Sequence, residues 1–205
     1  MQAGFMDYNH LLNNKNAFIT IAGQGIGKAI ALLFAKQGAK VAIGARRKEK
    51  LEKALAELRI ICPDAQGYQA DYSDPAQTEE VCKNVLRDFG KIDVLVNVVG
   101  VNISGAVHEM KDADLEYALE TNFKSYLRCI RAFLPGMLER RSGNIVNISS
   151  IHSIETMPGF AVYAGTKGAI NAAARAIALD YAQSGIRINT VCPGLIMSDA
   201  ILEEI

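Results

Sequence analysis

The stretch that decides the fold is residues 17–38, AFITIAGQGIGKAIALLFAKQG. It begins as a short apolar strand, turns through three closely spaced glycines, and continues as a helix. A glycine-rich turn between a strand and a helix lets backbone N–H groups approach a phosphate, and the N-terminus of the helix adds partial positive charge. The stretch therefore predicts the first strand–turn–helix unit of an α/β fold, with a phosphate site at the turn.

Strand and helix patterns alternate along the rest of the chain. Strand-like runs follow at KVAIGA, GYQA, IDVLVNVV, GNIVNISS and IRINTVC, and helices are expected over 27–37, 48–58, 75–89, 112–139 and 163–183. Apolar strands that alternate with helices predict a doubly wound parallel sheet of six strands with helices on both faces. No linker, repeat or low-complexity segment divides the chain, so we expect one domain over residues 1–205.

Composition narrows the class of protein. Lys plus Arg and Asp plus Glu are both 22, so the net charge gives no indication of a nucleic acid or an anionic membrane as partner. No apolar run is long enough for a membrane span and the N-terminus lacks a signal-peptide pattern, which predicts a cytoplasmic protein. Four scattered cysteines and three distant histidines predict reduced thiols and no metal site.

The end of the second strand indicates which dinucleotide the site prefers. Sites that select NAD commonly place an acidic residue there, whereas this sequence has Ala45 followed by Arg46 and Arg47. Two guanidinium groups suit a 2′-phosphate, which predicts NADP, with NAD left open. The alternative is a solvated basic start to a helix.

A second group of polar residues lies further along the chain. Tyr163 and Lys167 are four residues apart in a predicted helix and therefore share a face, where the ammonium would stabilise an ionised phenol. Ser150 ends the strand GNIVNISS, where ligands sit in open α/β sheets, and its hydroxyl can hold a carbonyl oxygen.

Together these residues resemble the short-chain dehydrogenase/reductase family over residues 15–199. Ser150 precedes Tyr163 by thirteen positions, as in that family, and Asn122 matches the asparagine of its catalytic tetrad. The resemblance implies that Tyr163 exchanges a proton with the substrate oxygen, Lys167 stabilises the phenolate and holds the nicotinamide ribose, and Ser150 positions the carbonyl. Asn122 would fix a water that links Lys167 to solvent.

The resemblance also implies a set of cofactor-binding residues. Asp71 matches an adenine contact, and Pro193, Gly194 and Ser198 match the family's segment beside the nicotinamide. The full expected set is Thr20, Gly23, Gln24, Gly25, Ile26, Gly27, Arg46, Arg47, Asp71, Tyr72, Asn97, Gly100, Tyr163, Lys167, Pro193, Gly194 and Ser198.

The sequence departs from the family pattern at three positions near the cofactor. Ile21 replaces the first glycine of the turn and would be strained if the site needs a positive φ. Val98 and Val99 replace asparagine and alanine, and Val99 would lie beside the adenosine ribose. The chain also lacks the family's further C-terminal segment, which supplies a substrate lid and a last strand, so the resemblance implies a truncated chain.

The leading interpretation is an NADP(H)-dependent oxidoreductase acting on a secondary alcohol or ketone, such as a 3-oxoacyl compound. The apolar residues Ile151, Ile154, Met157 and Phe160 favour a partly hydrophobic substrate, although polyols and sugar acids stay open. We take His152 as an ordinary loop residue.

One alternative function is that of a non-catalytic relative with impaired cofactor binding, and another is that of an epimerase. The resemblance further implies a homodimer or homotetramer through helices 112–139 and 163–183.

Overall fold

The structure is a computed structural model and describes residues 10–197. Six strands form one parallel sheet, and they are β1 (Asn16–Ile19), β2 (Lys40–Ala45), β3 (Gln66–Gln69), β4 (Val94–Asn97), β5 (Gly143–Ile148) and β6 (Ile186–Val191). The helices are α1 (Gly25–Lys36), α2 (Lys48–Arg59), α3 (Pro75–Phe89), α4 (Asp112–Leu119), α5 (Ser125–Glu139) and α6 (Ala161–Tyr181). The predicted doubly wound fold is confirmed.

The strand order creates a crevice at the carboxyl end of β1. The order is β3-β2-β1-β4-β5-β6, so the chain moves outward from β1 to one edge and then returns to build the other half. The connection that leaves β1 and the connection that leaves its neighbour β4 therefore run to opposite sides of the sheet. Ligands bind in the crevice between two such connections in open α/β sheets. The backbone N–H of Thr20 donates to Val96 O (3.0 Å) and keeps the end of β1 in register with β4.

Two hydrophobic cores lie on the two faces of the sheet, because successive residues of a strand point to opposite faces. On β1, Phe18 belongs to the core under α3, α5 and α6, whereas Ala17 and Ile19 belong to the core under α1 and α2. All four cysteines are free thiols.

The sheet edges differ from the sequence-based expectation of uniformly apolar strands. The central strands β1 and β4 are almost fully buried, but β3 is only partly buried and β6 alternates between buried and exposed residues along Ile186–Asn189. Both are edge strands, so a helix layer covers less of their surface.

The helix predicted over 112–139 is also interrupted. Between α4 and α5 the chain forms one π-helical turn at Glu120–Lys124, a feature that is frequent at functional sites. None of the helices within residues 10–197 combines the length and hydropathy needed to span a bilayer.

Candidate active site

The glycine-rich turn forms a cradle at the N-terminus of α1. Gly25 has a φ of +57°, and a Cβ on Gly27 would lie 1.7 Å from the carbonyl oxygen of Ile21. Only glycine allows the turn and the helix to come this close. Gln24 precedes α1 without a side-chain cap, and the first turn of α1 has no acidic residue. The cradle therefore fits an anionic diphosphate, since the first turn of α1 contributes no carboxylate that would compete for the helix N–H groups.

Ile21 is accommodated in this cradle without backbone strain. Within residues 10–197, positive φ at non-glycine residues occurs at His10, Asn14 and Arg141, and Ile21 is not among them. The Ile21 side chain is partly buried against the core under α3 and α5. The expectation of strain at Ile21 is therefore wrong, because the turn reaches its positive φ at Gly25 instead.

The two valines after β4 also face the interior. Val99 is buried in the core under α3 and α5, so the expectation that it lies beside the cofactor ribose is wrong. Val98 packs against the opposite core, and its backbone N–H donates to Thr20 Oγ1 (2.9 Å). That hydrogen bond ties the turn after β1 to the loop after β4.

Three of the expected cofactor-binding side chains are closed off from the crevice. Thr20 and Asn97 have no exposed surface, and the Asn97 amide donates to Asn147 Oδ1 (2.9 Å). Tyr72 is buried, with its hydroxyl 2.2 Å from where a Cβ on Gly44 would stand. These side chains shape the crevice from behind, so a contact of these residues with the cofactor would come from their backbone groups.

Basic side chains gather where β2 ends. Arg46 and Arg47 are exposed, and Arg47 donates to Gln24 Oε1 (3.2 Å), which also accepts from the Lys50 ammonium. Arg46 donates to the hydroxyl of Tyr117 in α4 (3.0 Å). Sequence analysis missed Lys50, which lies in the first turn of α2, three residues after the N-cap Arg47. Nothing in the sequence indicated Tyr117.

Two further expected residues lie at the rim of the crevice. Gly23 packs against α2, since a Cβ there would lie 3.2 Å from the Cβ atoms of both Ala45 and Lys50. Asp71 follows β3 and is partly exposed, and its Oδ1 accepts from the N–H (2.9 Å) and hydroxyl (2.7 Å) of Ser73. Ser73 thereby fixes the direction of the Asp71 carboxylate.

Lys167 lies on α6 below the phenol of Tyr163. Its Nζ is 5.8 Å from the centre of the Tyr163 ring and donates to Ile148 O at the end of β5 (3.2 Å). The side chain is only 3% exposed, and this burial lowers the pKa of Lys167 to about 8. A Cβ on Gly100 would lie 3.1 Å from Lys167 Nζ, so glycine leaves room for the ammonium beneath the loop after β4.

Asn122 joins that loop to α6 from the π-helical turn. Its side-chain amide pairs with the backbone of Val101, accepting from the N–H (2.7 Å) and donating to the carbonyl (2.9 Å). It also donates to Thr166 Oγ1 (3.1 Å), whose own hydroxyl donates to Tyr163 O (2.8 Å). Asn122 thus fixes the first turns of α6, and Thr166 is a supporting residue that sequence analysis missed.

Ser150 completes the group at the end of β5. It is buried, and its Oγ accepts from the backbone N–H of His152 (3.2 Å). The His152 ring lies edge-on to the Tyr163 ring, with 5.6 Å between the ring centres. Ser150 and Tyr163 therefore belong to one cluster.

The segment after β6 lies beside this cluster, because the Pro193 carbonyl accepts from Ile151 N (2.8 Å). Gly194 is exposed, and Ser198 lies outside the described residues.

Two rings of the loop after β5 pack next to Tyr163. The His152 ring stacks on Phe160 (4.6 Å between ring centres), while Ile154 and Met157 are 70% and 56% exposed. A hydrogen bond from Gly105 N to Gly159 O (2.8 Å) joins this loop to the loop after β4. This bond connects the two loops, and His152 packs on the Phe160 and Tyr163 rings, whereas the sequence suggested an ordinary loop residue.

Comparison with known proteins agrees with this geometry. The family model described as short chain dehydrogenase matches residues 15–204. The chain belongs to the short-chain dehydrogenase family. It is 37% identical over 186 residues to the 3-oxoacyl-(acyl-carrier-protein) reductase FabG of Staphylococcus aureus, covering 90% of this chain and 76% of that one. It is 36% identical to the 2,3-dihydro-2,3-dihydroxybenzoate dehydrogenase of Bacillus subtilis, covering 92% and 72%.

Solved structures of this family superpose on the whole described fold. A variant of actinorhodin polyketide ketoreductase with NADPH gives a TM-score of 0.88 at 34% identity, covering 92% of this chain and 73% of that one. ElxO with NADP bound gives a TM-score of 0.85 at 35% identity, covering 93% and 77%. As a short-chain dehydrogenase, the protein is an oxidoreductase of a family that uses NAD(P).

Proposed function

We propose that this short-chain dehydrogenase is an NADP(H)-dependent enzyme that interconverts a ketone and a secondary alcohol. The observation that carries the proposal is the clustering of Asn122, Ser150, Tyr163 and Lys167 at the carboxyl end of the sheet. The Thr20–Val98 hydrogen bond connects this cluster to the phosphate cradle, since the same loop continues to Gly100 beside Lys167.

Each member of the cluster has a distinct part in the reaction. The Ser150 hydroxyl donates to the substrate carbonyl oxygen and stabilises the negative charge that develops there. Tyr163 gives its phenolic proton to that oxygen in reduction and takes it back in oxidation. The Lys167 ammonium stabilises the resulting phenolate, and Asn122 holds α6 so that these groups stay aligned. When bound, the cofactor supplies or accepts the hydride at the carbonyl carbon.

The cofactor is held mainly by backbone groups. Gly23, Gln24, Gly25, Ile26 and Gly27 form the cradle for the diphosphate, with α1 directing its N-terminus at the phosphates. Further contacts are expected from Asp71 toward the adenine, from Gly100 and Lys167 toward the ribose, and from Pro193, Gly194 and Ser198 toward the nicotinamide.

Preference for NADP over NAD is proposed on the charges at the end of β2. Arg47 and Lys50 both donate to Gln24 Oε1, and Arg46 stands next to Arg47 and donates to the Tyr117 hydroxyl. Position 45 is alanine, where an acidic residue would repel a 2′-phosphate. Both nucleotide-bound neighbours described above carry NADP or NADPH, which supports the same preference.

Titration of the purified protein with NADPH and with NADH, followed by nicotinamide fluorescence, tests this preference. We expect tighter binding of NADPH, and we expect Arg46→Asp to weaken NADPH at least about 10-fold while leaving NADH binding within a factor of about three. Arg131→Asp, an exposed arginine on α5, is the control. Equal affinity for both nucleotides in the unsubstituted protein would contradict NADP selectivity.

The substrate is proposed to be a partly apolar carbonyl compound of the 3-oxoacyl type. Exposed Ile154 and Met157 lie in the loop whose His152 and Phe160 rings pack beside Tyr163, and the FabG relative acts on a 3-oxoacyl chain by its name. Initial rates with a 3-oxoacyl thioester, a cyclic ketone and a polyol would test this. A rate highest with the polyol would contradict the proposal. The non-catalytic alternative was suggested by Ile21, Val98 and Val99. Val99 is buried, and Ile21 and Val98 are partly buried against the two cores, which supports the catalytic proposal over that alternative.

We propose that the chain forms a homo-oligomer in which the exposed face of α6 contacts a second copy. Ala172, Arg175, Ala176 and Leu179 share this face, and Leu179 is 83% exposed. Small residues allow a second helix to approach closely, and a large exposed apolar side chain is buried when it does.

A further inference from the structure

Tyr126 is a buried tyrosine on α5 that contacts the active site from below. It lies four residues after Asn122 and is 2% exposed. Lys167 Nζ lies over its ring, 5.5 Å from the ring centre. Its hydroxyl is 2.7 Å from Val99 O and 2.8 Å from Ile148 O. Nothing in the roles described above uses this side chain.

We propose that Tyr126 is a positioning residue for Lys167. The ring of Tyr126 holds the Lys167 ammonium, and the hydroxyl of Tyr126 fixes the carbonyl that Lys167 binds. This inference rests on the proposed function, because it assigns how the reductase keeps Lys167 in place. Tyr126 is not a proton donor to the substrate.

The hydroxyl of Tyr126 connects the two strands that flank the active site. Ile148 O accepts from both Tyr126 and Lys167, and a carbonyl oxygen has two lone pairs for two donors. The single hydroxyl proton is shared between Ile148 O, at the end of β5, and Val99 O, in the loop after β4. Tyr126 therefore fixes the separation of these two segments and the direction in which the Ile148 carbonyl points.

The phenol of Tyr126 stays protonated in this position. Burial raises the pKa of Tyr126 well above its usual range, and the nearby Tyr163 and Cys129 raise it further. A group that keeps its proton can donate to the two carbonyls throughout the reaction, whereas Tyr163 is free to exchange its own.

The ring of Tyr126 offsets part of the cost of burying an ammonium. Among residues 10–197, no carboxylate forms a salt bridge with Lys167; the groups that face it are the Tyr163 ring from α6, the Ile148 carbonyl from β5, and Cys192 after β6. The negative face of an aromatic ring attracts a cation most strongly where water is excluded. Tyr126 is thus the neighbour on α5 that favours the charged form of Lys167.

Two variants distinguish the role of the hydroxyl from the role of the ring. Tyr126→Phe removes only the hydroxyl, and Tyr126→Leu removes the aromatic ring as well. Phe133→Leu is the matched control, because Phe133 is an aromatic residue of the same helix with the same 2% exposure and packs on Phe18 instead. The pKa of Lys167 is measured by NMR on protein with ¹³C-labelled lysine, and the resonance is assigned by its loss in Lys167→Met. Thermal unfolding is followed on the same samples.

We expect Tyr126→Leu to lower the pKa of Lys167 by about one unit, since the ring that attracts the ammonium is removed. We expect Tyr126→Phe to keep that pKa within a few tenths of a unit but to lower the melting temperature by about 2–4 °C, because Val99 O loses the Tyr126 donor and Ile148 O keeps only Lys167. Phe133→Leu should lower the melting temperature and leave the pKa of Lys167 unchanged. A pKa of Lys167 that stays the same in Tyr126→Leu, or shifts equally in Phe133→Leu, overturns the proposal.

The pH dependence of kcat gives a second readout. Loss of the Lys167 proton removes the charge that stabilises the phenolate, so activity falls on the alkaline side as pH rises through the pKa of Lys167. In Tyr126→Leu this fall should begin about one pH unit lower than in the unsubstituted protein or in Phe133→Leu. If the unsubstituted protein shows no reductase activity, the proposed function fails, while the NMR measurement still decides the role of Tyr126.

Discussion

At the scale of single residues, Gly27 is the position where the cofactor cradle tolerates least change. A methyl group there would lie 1.7 Å from Ile21 O, and backbone atoms on both sides would have to move. We expect Gly27→Ala to lower stability by about 1–3 kcal/mol and to abolish saturable NADPH binding. Urea unfolding and fluorescence titration measure the two effects. Gly165→Ala is the control, because its added methyl meets no atom within 4 Å and lies in a helix that alanine favours.

Ile21 shows how the family pattern misleads when it is read without the backbone path. The family's glycine at this position suggests that Ile21→Gly would improve cofactor binding, but Ile21 packs against the core and has no positive φ. We expect Ile21→Gly to lower the free energy of unfolding by about 2–3 kcal/mol through lost packing and added backbone freedom. NADPH affinity should not increase. An NADPH affinity that rises 10-fold or more would restore the interpretation of Ile21 as a defect in the site.

At the scale of elements, Asp93 connects three strands at their amino-terminal ends, on the side of the sheet away from the active site. Its Oδ2 accepts from Asn16 N (2.9 Å), its Oδ1 from Lys91 Nζ (3.1 Å), and its backbone carbonyl from Asn144 N (3.0 Å). Burial raises the pKa of Asp93, but the hydrogen bonds from Asn16 and Lys91 outweigh it, so the pKa lies below its usual value.

This lowered pKa makes the contribution of Asp93 dependent on pH. A carboxylate with a lowered pKa stabilises the fold above its unfolded pKa of about 4 and loses that effect as pH falls through the lower folded pKa. We expect Asp93→Asn to cost about 1–2 kcal/mol at pH 7, and we expect the difference from the unsubstituted protein to shrink below about pH 4. Urea unfolding at several pH values measures it. Asp64→Asn, an exposed carboxylate at the same end of the strands, should show no such loss, and a pH-independent cost at Asp93 would contradict the linkage.

The elements also show where sequence reasoning succeeds. The strand–turn–helix units were predictable because hydrophobic periodicity and glycine punctuation are local signals. The π-helical turn at Glu120–Lys124 was not, because nothing in its composition separates it from a continuous helix. Its consequence is considerable, since this turn presents Asn122 to both Val101 and Thr166.

The residues that hold the active site together were the hardest to predict. Tyr163, Lys167 and Ser150 could be found from spacing, but the groups that fix Lys167 are a backbone carbonyl and the ring of Tyr126. A buried tyrosine on a helix has the same pattern in the sequence as any core residue. Thr20 and Asn97 present the opposite case: they match positions around the cofactor, yet their side chains bond to the protein interior.

At the scale of the whole molecule, the exposed face of α6 predicts self-association. Leu179 is 83% exposed in the single chain, and burying one such side chain from each of two copies contributes roughly 1.5–3 kcal/mol per leucine. We expect Leu179→Glu to shift the protein toward monomer, with the dimer dissociation constant raised at least about 100-fold because two charges would be buried at a two-fold axis.

Light scattering coupled to size-exclusion chromatography measures the change in mass across a dilution series. Leu33→Glu is the matched control, since Leu33 is an exposed leucine on α1, on the opposite face of the sheet. The mass of Leu33→Glu should follow that of the unsubstituted protein. A monomer mass for the unsubstituted protein at every concentration, or an equal shift in both variants, would contradict assembly through α6. Because α6 also carries Tyr163 and Lys167, a dimer at this face would brace the helix that presents both groups to the substrate.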